Sequence, residues 1–181
     1  YGIHACPVRT TVEKYLQQEN PDFRGHRFLF INKDDGLDRM NFLINYHVGV
    51  PQTLDEYIDY SQMVQAEGLR VGSEHFRRNF PRTGGALIWQ LNDCFPVHSW
   101  SIIDVDLIPK AAYYYARRFF APVAISLEAV DENNTDIWVV NNTNYQVEKV
   151  LHFGVRDHFG NVLSQETITI KADANCTTRI K

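Results

Sequence analysis

The residue types best suited to chemistry stand together at the end of an apolar run, GGALIWQL, which continues as NDCFPVHSW. Trp89 offers a flat apolar face that suits the C–H face of a sugar ring. The amide of Asn92 and the carboxylate of Asp93 can bind hydroxyl groups through fixed hydrogen bonds. In an α/β barrel, polar residues just after a buried strand lie where the active site is built. The pattern favours a carbohydrate-binding site.

A structural role would account for the same residues. Trp89 would then belong to the core, Asn92 and Asp93 would cap or turn the following loop, and Trp100 would plug the end of the barrel. Periodicity alone does not exclude this interpretation, so both are kept open.

Other reactive side chains form weaker patterns. Cys94 and His98 could serve as a thiol nucleophile and its base, but four loop residues that include Pro96 fix no geometry, and no third group is apparent.

The three cysteines, Cys6, Cys94 and Cys176, are widely spaced and include no CxxC pair. This pattern predicts free thiols that are buried or half-buried. The seven histidines include no HExxH pair. We therefore expect no metal site and no cofactor.

Carboxylates matter because a glycosidase needs two of them facing each other across a sugar. Glu56, Glu67 and Glu74 fall within a long helical pattern, where solvation or ion pairing is the expected role. A helical pair such as Glu67 with Arg70 contributes only about 0.2–0.5 kcal/mol. Among these carboxylates, only Asp93 stands at an obvious strand end.

The charge of the chain restricts its partners. A formal net charge of −4 over 181 residues argues against the clustered Lys and Arg that nucleic acid requires. The basic pairs Arg77-Arg78 and Arg117-Arg118 fall in helical segments and are expected to be solvated or to pair with glutamates such as Glu74. No apolar run approaches the roughly 18 residues of a membrane span. We expect no nucleic-acid and no membrane partner.

The N-terminus, YGIHACPVRT, has no signal-peptide pattern and no initiator Met, which predicts that the chain is a piece of a longer protein. Asn133, Asn141 and Asn175 each begin an Asn-x-Thr sequon. Such matches also arise by chance in Asn-rich loops. They favour a secreted or periplasmic location but leave the compartment unassigned.

Helical periodicity recurs along the first two thirds of the chain. We predict a helix from Thr10 or Thr11 in CPVRTTVEKYL and one short helix within NKDDGLDRMNFLINYHVGVP, otherwise irregular. A capping box of Thr53 and Glu56 begins a long helix that Pro81 ends. Its glycines, Gly68 and Gly72, predict close approach by another element. A further helix, KAAYYYARRFF, follows Pro109.

The run GGALIWQL has the length and flanking glycines of a parallel strand covered on both faces, so we predict an α/β architecture for residues 1–121.

After Ala121 the sequence pattern changes from helical periodicity to short strands. VAISLEAV, DIWVVNN, VEKVLHFGVRD and SQETITIK are strand-sized blocks separated by turn residues. We predict that residues 122–181 form an antiparallel β-sandwich of the immunoglobulin-like type.

One long stretch, GALIWQLNDCFPVHSWSIIDVDLIPKAAYYYARRFFAPV, closely resembles the β-mannosidases of glycoside hydrolase family two. The family pattern is a strand ending in Trp-Gln-Leu-Asn-Asp-Cys-Trp-Pro-Val, a Ser-Trp, and a Lys-Ala-x-x-Tyr helix ending in Phe-Phe-Ala-Pro. The resemblance extends upstream through YIDYSQMVQAEGLRVGSEHFRRNFPRTGG and fades elsewhere. Phe95 replaces the usual Trp and His98 replaces a small residue, which puts the rim contacts and the substrate preference in question.

The resemblance implies the C-terminal part of a (β/α)8 barrel followed by the sandwich, with GGALIWQL as the eighth strand. Trp89 would stack on the sugar in the −1 subsite, and Asn92 and Asp93 would shape that end of the pocket. The family's nucleophilic Glu precedes Tyr-Gly or Phe-Gly, and this chain begins YGIHACP. Both catalytic carboxylates are therefore expected upstream of Tyr1, and this chain alone is expected to be inactive.

The function so implied is retaining hydrolysis of terminal, non-reducing β-D-mannose by the full-length enzyme, with a β-mannoside or oligosaccharide as substrate. An exo-β-glucosaminidase or related family-two exo-glycosidase is the nearest alternative. A non-catalytic β-sandwich interaction module is an alternative of another class. Self-association of the chain through exposed sheet edges and apolar faces is also considered.

Overall fold

The computed structural model describes residues 1–25, 28 and 36–180. It divides into two compact units, each assembled from two stretches of chain. The helical unit comprises Tyr1–His75 and Gly85–Phe119, and the sandwich unit comprises Phe76–Gly84 and Phe120–Lys181. The sequence did not indicate that residues 76–84 group with the strands, and the division at residues 121 and 122 stays a prediction.

Four helices are defined among the described residues: α1 (Arg9–Leu16), α2 (Gly36–His47), α3 (Leu54–Arg78) and α4 (Ala111–Phe119). The helix predicted from Thr10 or Thr11 begins slightly earlier, and the predicted short helix is α2. The irregular chain predicted before it, at residues 32–35, lies outside the described residues. No described helix combines the length and the apolar character needed to cross a bilayer.

The N-cap role predicted for Thr53 at the start of α3 is confirmed, and Glu56 reaches back to the residue before Thr53. The Glu56 amide donates to Thr53 Oγ1 at 3.2 Å, and Glu56 Oε2 accepts from the Gln52 amide at 2.7 Å. The helix contributes to two apolar clusters of the helical unit. Leu54 and Tyr57 pack with residues of α1 and α2, while Leu69 packs with residues of α4. Val71 of the same helix is 55% exposed.

Close approach at Gly68 and Gly72 is also confirmed. A Cβ at Gly68 would lie 2.1 Å from Ile3 Cδ1, and one at Gly72 would lie 2.3 Å from the Tyr1 hydroxyl oxygen. The Tyr1 hydroxyl donates to the Gly68 carbonyl. The two glycines therefore let the N-terminal segment lie directly on α3.

The structure does not show GGALIWQL as a strand covered on both faces, and that strand stays a prediction. The run forms no ladder with any described strand, and the side chain of Leu87 is 88% exposed. The Trp89 amide donates to the Tyr1 carbonyl at 2.9 Å, and the Gln90 amide donates to the Trp100 carbonyl at 3.2 Å. A parallel strand needs continuous partners, and these isolated bonds do not supply them. The barrel itself is therefore not seen directly.

The sandwich unit has two antiparallel sheets, as predicted. The strands are β1 (Val123–Ala129), β2 (Thr135–Asn141), β3 (Val147–Arg156), β4 (Val162–Ala172) and β5 (Cys176–Arg179). One sheet has the order β1-β2-β5 and the other pairs β3 with β4. Their core contains Val139, Val147, Ile170 and Ala172.

Asn141 connects the two sheets from the end of β2. Its side chain is fully buried, and its amide nitrogen donates to the carbonyls of Tyr145, Ala172 and Asp173 at 2.9, 3.1 and 2.9 Å. A nitrogen engaged in this way is not accessible in the folded unit. The Asn141 sequon therefore lends no support to secretion.

The arginines at the end of α3 bind β1 within the sandwich unit. Arg77 donates to the Ala121 carbonyl at 2.8 Å. Arg78 donates to Ser126 Oγ at 2.6 Å and lies 3.4 Å from Glu128 Oε1. The pairing of these arginines with Glu74 stays a prediction.

Gly154 in β3 tests the packing of the sandwich. A Cβ there would lie 2.2 Å from the Ser164 carbonyl oxygen of β4, and backbone cannot move aside as a side chain can. We expect Gly154→Ala to lower the free energy of unfolding by about 1–3 kcal/mol. Gly84→Ala is the control, since a Cβ there meets nothing within 4 Å. Urea unfolding of both variants measures the difference, and equal stabilities would contradict this packing.

Candidate functional site

The predicted site residues occupy two different environments. The indole of Trp89 is 59% exposed, and Asn92 is exposed as well. Asp93 is 5% exposed, although it follows Asn92 directly in the chain. The interpretation of Trp89 as a core residue is therefore wrong for the described structure. Trp89 and Asn92 can meet a ligand, whereas Asp93 lies beneath them in the protein.

Backbone hydrogen bonds hold the segment that carries these side chains. Besides the bonds from the Trp89 and Gln90 amides, the Ile102 amide donates to the Gln90 carbonyl at 3.1 Å and the Asp93 amide donates to the Ile103 carbonyl at 3.1 Å. The peptide bond between Trp89 and Gln90 is cis. The segment is thus fixed between the N-terminal residues on one side and residues 100–103 on the other.

The carboxylate of Asp93 accepts hydrogen bonds from several side chains. Ser99 Oγ donates to Oδ2 at 2.6 Å, and Ser101 Oγ donates to the same oxygen. Gln90 Nε2 donates to Oδ1 at 3.4 Å. Lys110 Nζ lies 3.8 Å from Oδ2. This set of donors matches a structural carboxylate.

Lys110 is fully buried immediately before α4. Its ammonium donates to the Ala5 carbonyl at 3.3 Å and faces Asp93. Burial lowers the pKa of Lys110 to about 8, and the nearby Asp93, Cys6 and Asp104 oppose that shift. The side chain is therefore mostly protonated at neutral pH. Burial also raises the pKa of the Cys6 thiol, so that thiol stays neutral.

Cys94 and His98 do not share an environment. Cys94 is exposed, contrary to the expectation of a buried or half-buried thiol, because it lies on the outer part of the loop. His98 is fully buried, and its ring centroid lies 5.1 Å from that of Phe28 and 5.9 Å from that of Tyr57. A histidine packed among aromatic rings fits a core role, and nothing in these contacts supports a nucleophile and base.

The helical glutamates have structural partners. Glu56 reaches back to the residue before Thr53, and Arg70 pairs with Glu67 at 2.7 Å and with Glu74 at 3.3 Å. In the part of the chain that the structure describes, no three His, Cys, Asp or Glu side chains form a group that could hold a metal ion.

Two buried glutamines of α3 complete the support of the site, and sequence reasoning missed them together with Ser99, Ser101 and Lys110. Gln65 Nε2 donates to the carbonyls of Ile3 and Ser101 at 2.9 and 3.0 Å. Gln62 Nε2 donates to the Cys6 carbonyl at 3.2 Å, and its Oε1 accepts from the Ala111 amide at 3.0 Å. The available signal was two amides three residues apart on an apolar helix face.

A cavity of about 580 Å³ lies elsewhere in the helical unit. Tyr1, Ile3, Leu43, Met63 and Val64 contribute much of its lining. Neither Trp89 nor Asn92 reaches it. Because its lining is mainly apolar, it offers little of the hydrogen bonding that a sugar needs, and the exposed face around Trp89 remains the candidate site.

Comparisons with known proteins cover both units. Residues 133–181 match the family model described as a Mannosidase Ig/CBM-like domain. Beta-mannosidase B of Aspergillus niger is 38% identical over 133 residues, which are 70% of this chain and 16% of the relative. Beta-mannosidase B of Aspergillus terreus is 32% identical over 160 residues, which are 78% of this chain and 19% of the relative.

Solved structures agree. A beta-D-mannosidase from Dictyoglomus thermophilum superimposes with a TM-score of 0.88 and 32% identity, over 100% of this chain and 22% of that one. The exo-β-D-glucosaminidase CsxA of Amycolatopsis orientalis gives a TM-score of 0.71 at 18% identity, over 97% of this chain and 22% of that one, and so shares the fold. The chain thus spans about a fifth of the length of these relatives.

We expect breaking the buried ion pair of Lys110 and Asp93 to lower the free energy of unfolding strongly. Lys110→Met leaves the Asp93 carboxylate buried without its cation, and breaking such a pair costs about 3–5 kcal/mol. We expect the double variant Lys110→Met, Asp93→Asn to recover part of that loss, because no uncompensated charge remains. Urea unfolding at pH 7 measures both.

Lys14→Met is the matched control, since Lys14 pairs with Asp106 at 2.7 Å but its side chain is 58% exposed. Solvent screens such a pair, so this variant should change stability little. If Lys14→Met and Lys110→Met destabilise the chain equally, the buried pair does not have the importance assigned to it.

Proposed function

Because the chain belongs to the β-mannosidases of glycoside hydrolase family two, we propose that it supplies one wall of the pocket that binds a terminal β-mannosyl residue. The observation that carries this proposal is the exposed indole of Trp89, fixed by backbone hydrogen bonds on both sides of its segment. Its flat face can stack on the C–H face of the sugar ring.

The neighbouring polar residues have distinct roles in this proposal. Asn92 is exposed, and its amide Nδ2 donates to the Asp93 carbonyl at 3.2 Å, which orients the side chain beside Trp89 in sequence. It can therefore bind a sugar hydroxyl. Asp93 shapes the pocket from below through its buried hydrogen bonds rather than by touching the sugar.

The proposed architecture places this wall at the edge of a (β/α)8 barrel. GGALIWQL would be the eighth strand, completed by ladders with neighbouring strands, and α4 would be the helix that closes the barrel. Trp89 then lies at the carboxyl end of the strand, where barrel enzymes build their active sites. In this proposal residues 1–121 form barrel and residues 122–181 form the sandwich domain.

The proposed chemistry is retaining hydrolysis. One carboxylate attacks the anomeric carbon while a carboxylic acid protonates the departing oxygen, and water then cleaves the glycosyl-enzyme with the acid's conjugate base accepting a proton. The two groups lie about 5–5.5 Å apart in such enzymes, and the reaction needs no cofactor. Asp93 and the glutamates of α3 have structural partners, so we propose that both catalytic carboxylates come from other parts of the enzyme.

Two other functions fit some of the observations. The likeness to CsxA indicates that an exo-β-glucosaminidase shares the fold. The sequence identity between CsxA and this chain is too low to assign the same substrate. A non-catalytic module is suggested by the description of the matched domain as Ig/CBM-like. Higher identity to proteins named as β-mannosidases favours mannoside over either alternative.

A substrate panel tests the proposal. The enzyme that contains this chain should hydrolyse 4-nitrophenyl β-D-mannoside with a higher kcat/KM than the corresponding β-D-glucosaminide, because its pocket is shaped for mannose. Preference for the glucosaminide would support the first alternative. No hydrolysis of either, with sugar binding retained, would support the second. Expressed alone, residues 1–181 should hydrolyse neither substrate.

Trp89→Ala tests the proposed stacking. Loss of a stacked indole should reduce kcat/KM for the β-mannoside about 10- to 100-fold, since burying an aromatic side chain contributes roughly 1.5–3 kcal/mol. Phe159→Ala is the control, because this aromatic ring is 92% exposed and lies in the sandwich unit. Steady-state kinetics of the two variants should separate them, and equal activity would argue against a sugar-facing Trp89.

A further inference from the structure

We propose that Lys110 is a positioning residue for the sugar-binding face: its ammonium charge holds Asp93, and through it the segment that carries Trp89 and Asn92. The structural part of this inference stands on the helical unit alone. Its consequence for catalysis rests on the proposed function.

Three segments meet at the Lys110 ammonium. The N-terminal segment contributes the Ala5 carbonyl, and the segment after Trp89 contributes the Asp93 carboxylate. The third segment contributes Ser99 and Ser101, whose hydroxyls both donate to the carboxylate oxygen that faces the ammonium. Lys110 itself lies further along the chain, immediately before α4. One cation therefore joins the chain on both sides of the candidate site.

The N-terminal and third segments are also bonded to each other. Ala5 and Ser99 exchange backbone hydrogen bonds, at 2.9 Å from the Ala5 amide and 3.2 Å from the Ser99 amide. Gly2 lies so close to the Trp89 carbonyl that a Cβ would approach it to 2.2 Å. A shift at the ammonium would thus be transmitted to Trp89 through packed backbone rather than through flexible side chains.

The charged and titratable groups around Lys110 leave Asp93 as its counterion. The Asp104 carboxylate already accepts hydrogen bonds from Thr11 Oγ1 at 2.7 Å and from the backbone amides of Asp106 and Ile108 at 3.0 Å each. The Cys6 thiol, on the N-terminal segment, is neutral because burial raises its pKa. From α3, the residues that face this region are the uncharged Gln62 and Gln65.

The charge on Lys110 is removable in an accessible pH range. Its pKa is lowered to about 8, against 10.5 for an ordinary lysine. A lysine with a depressed pKa binds fewer protons in the folded than in the unfolded state between these two values. Folding therefore becomes more favourable, not less, as the pH rises through this window. Any change near pH 8 that follows from Lys110 must be local, without loss of the fold.

A fluorescence titration of this chain tests the inference without a substrate. In Trp138→Phe, which removes the indole of the sandwich unit, the emission of Trp89 and Trp100 should change with a midpoint near pH 8 while far-UV circular dichroism stays constant. Acrylamide quenching should rise over the same range as the segment loosens. Tryptophan emission that stays constant from pH 6.5 to 9.5 would overturn the proposal, and no further variant is needed to draw that conclusion.

Variants test whether the midpoint of the fluorescence titration comes from Lys110. Asp93→Asn removes the anion that favours the ammonium and should move the midpoint to lower pH. Lys110→Arg should abolish the midpoint and keep the low-pH emission, because a guanidinium stays charged. Lys14→Met and Cys94→Ser, which remove an exposed amine and an exposed thiol, should leave the midpoint in place. A midpoint that disappears in Cys94→Ser belongs to the thiol and contradicts the proposal.

Kinetics of the whole enzyme then test the catalytic consequence. Lys110→Met should reduce kcat/KM for the β-mannoside about 10- to 100-fold at pH 7 by displacing the binding wall, and Lys110→Arg should restore most of the loss. A pH 8 midpoint in an enzyme that lacks mannosidase activity would refute the proposed function and leave the positioning role intact. Mannosidase activity that Lys110→Met leaves unchanged would refute the positioning role alone.

Discussion

The helical unit depends on the buried contact between Lys110 and Asp93. Burying a single ion costs several kcal/mol, and the attraction between the two side chains offsets part of that cost. The surrounding donors, the hydroxyls of Ser99 and Ser101 and the side-chain Nε2 of Gln90, add hydrogen bonds to the carboxylate. Chain segments distant in sequence are thereby drawn to one point, directly beneath the residues exposed to a ligand.

The polar residues of this region fall into a buried group and an exposed group. Polar groups that are buried, such as Gln62, Gln65 and Asp93, bind backbone or one another. Trp89 and Asn92 remain exposed at the surface of the same segment. Buried hydrogen bonds to backbone hold a segment in one conformation, and a preorganised surface loses less entropy on binding a ligand.

Local patterns in the sequence predicted the elements well. The N-cap role of Thr53, the close approach at Gly68 and Gly72 and the change to antiparallel strands after Ala121 are all present. Each depends on neighbouring residues or on the period of an element. The exception is GGALIWQL, whose apolar residues predicted a buried strand. A strand is completed by its partners, and that information is not contained in the run itself.

The sequence by itself therefore determined most of the elements and the relationship to the β-mannosidases. The tertiary structure decided which polar residues support the site and which can touch a ligand. Asn92 and Asp93 are adjacent in sequence and equally polar, yet one is exposed and the other is buried against Lys110. That difference arises because burial and charge pairing depend on residues far away in the chain, which no local pattern encodes.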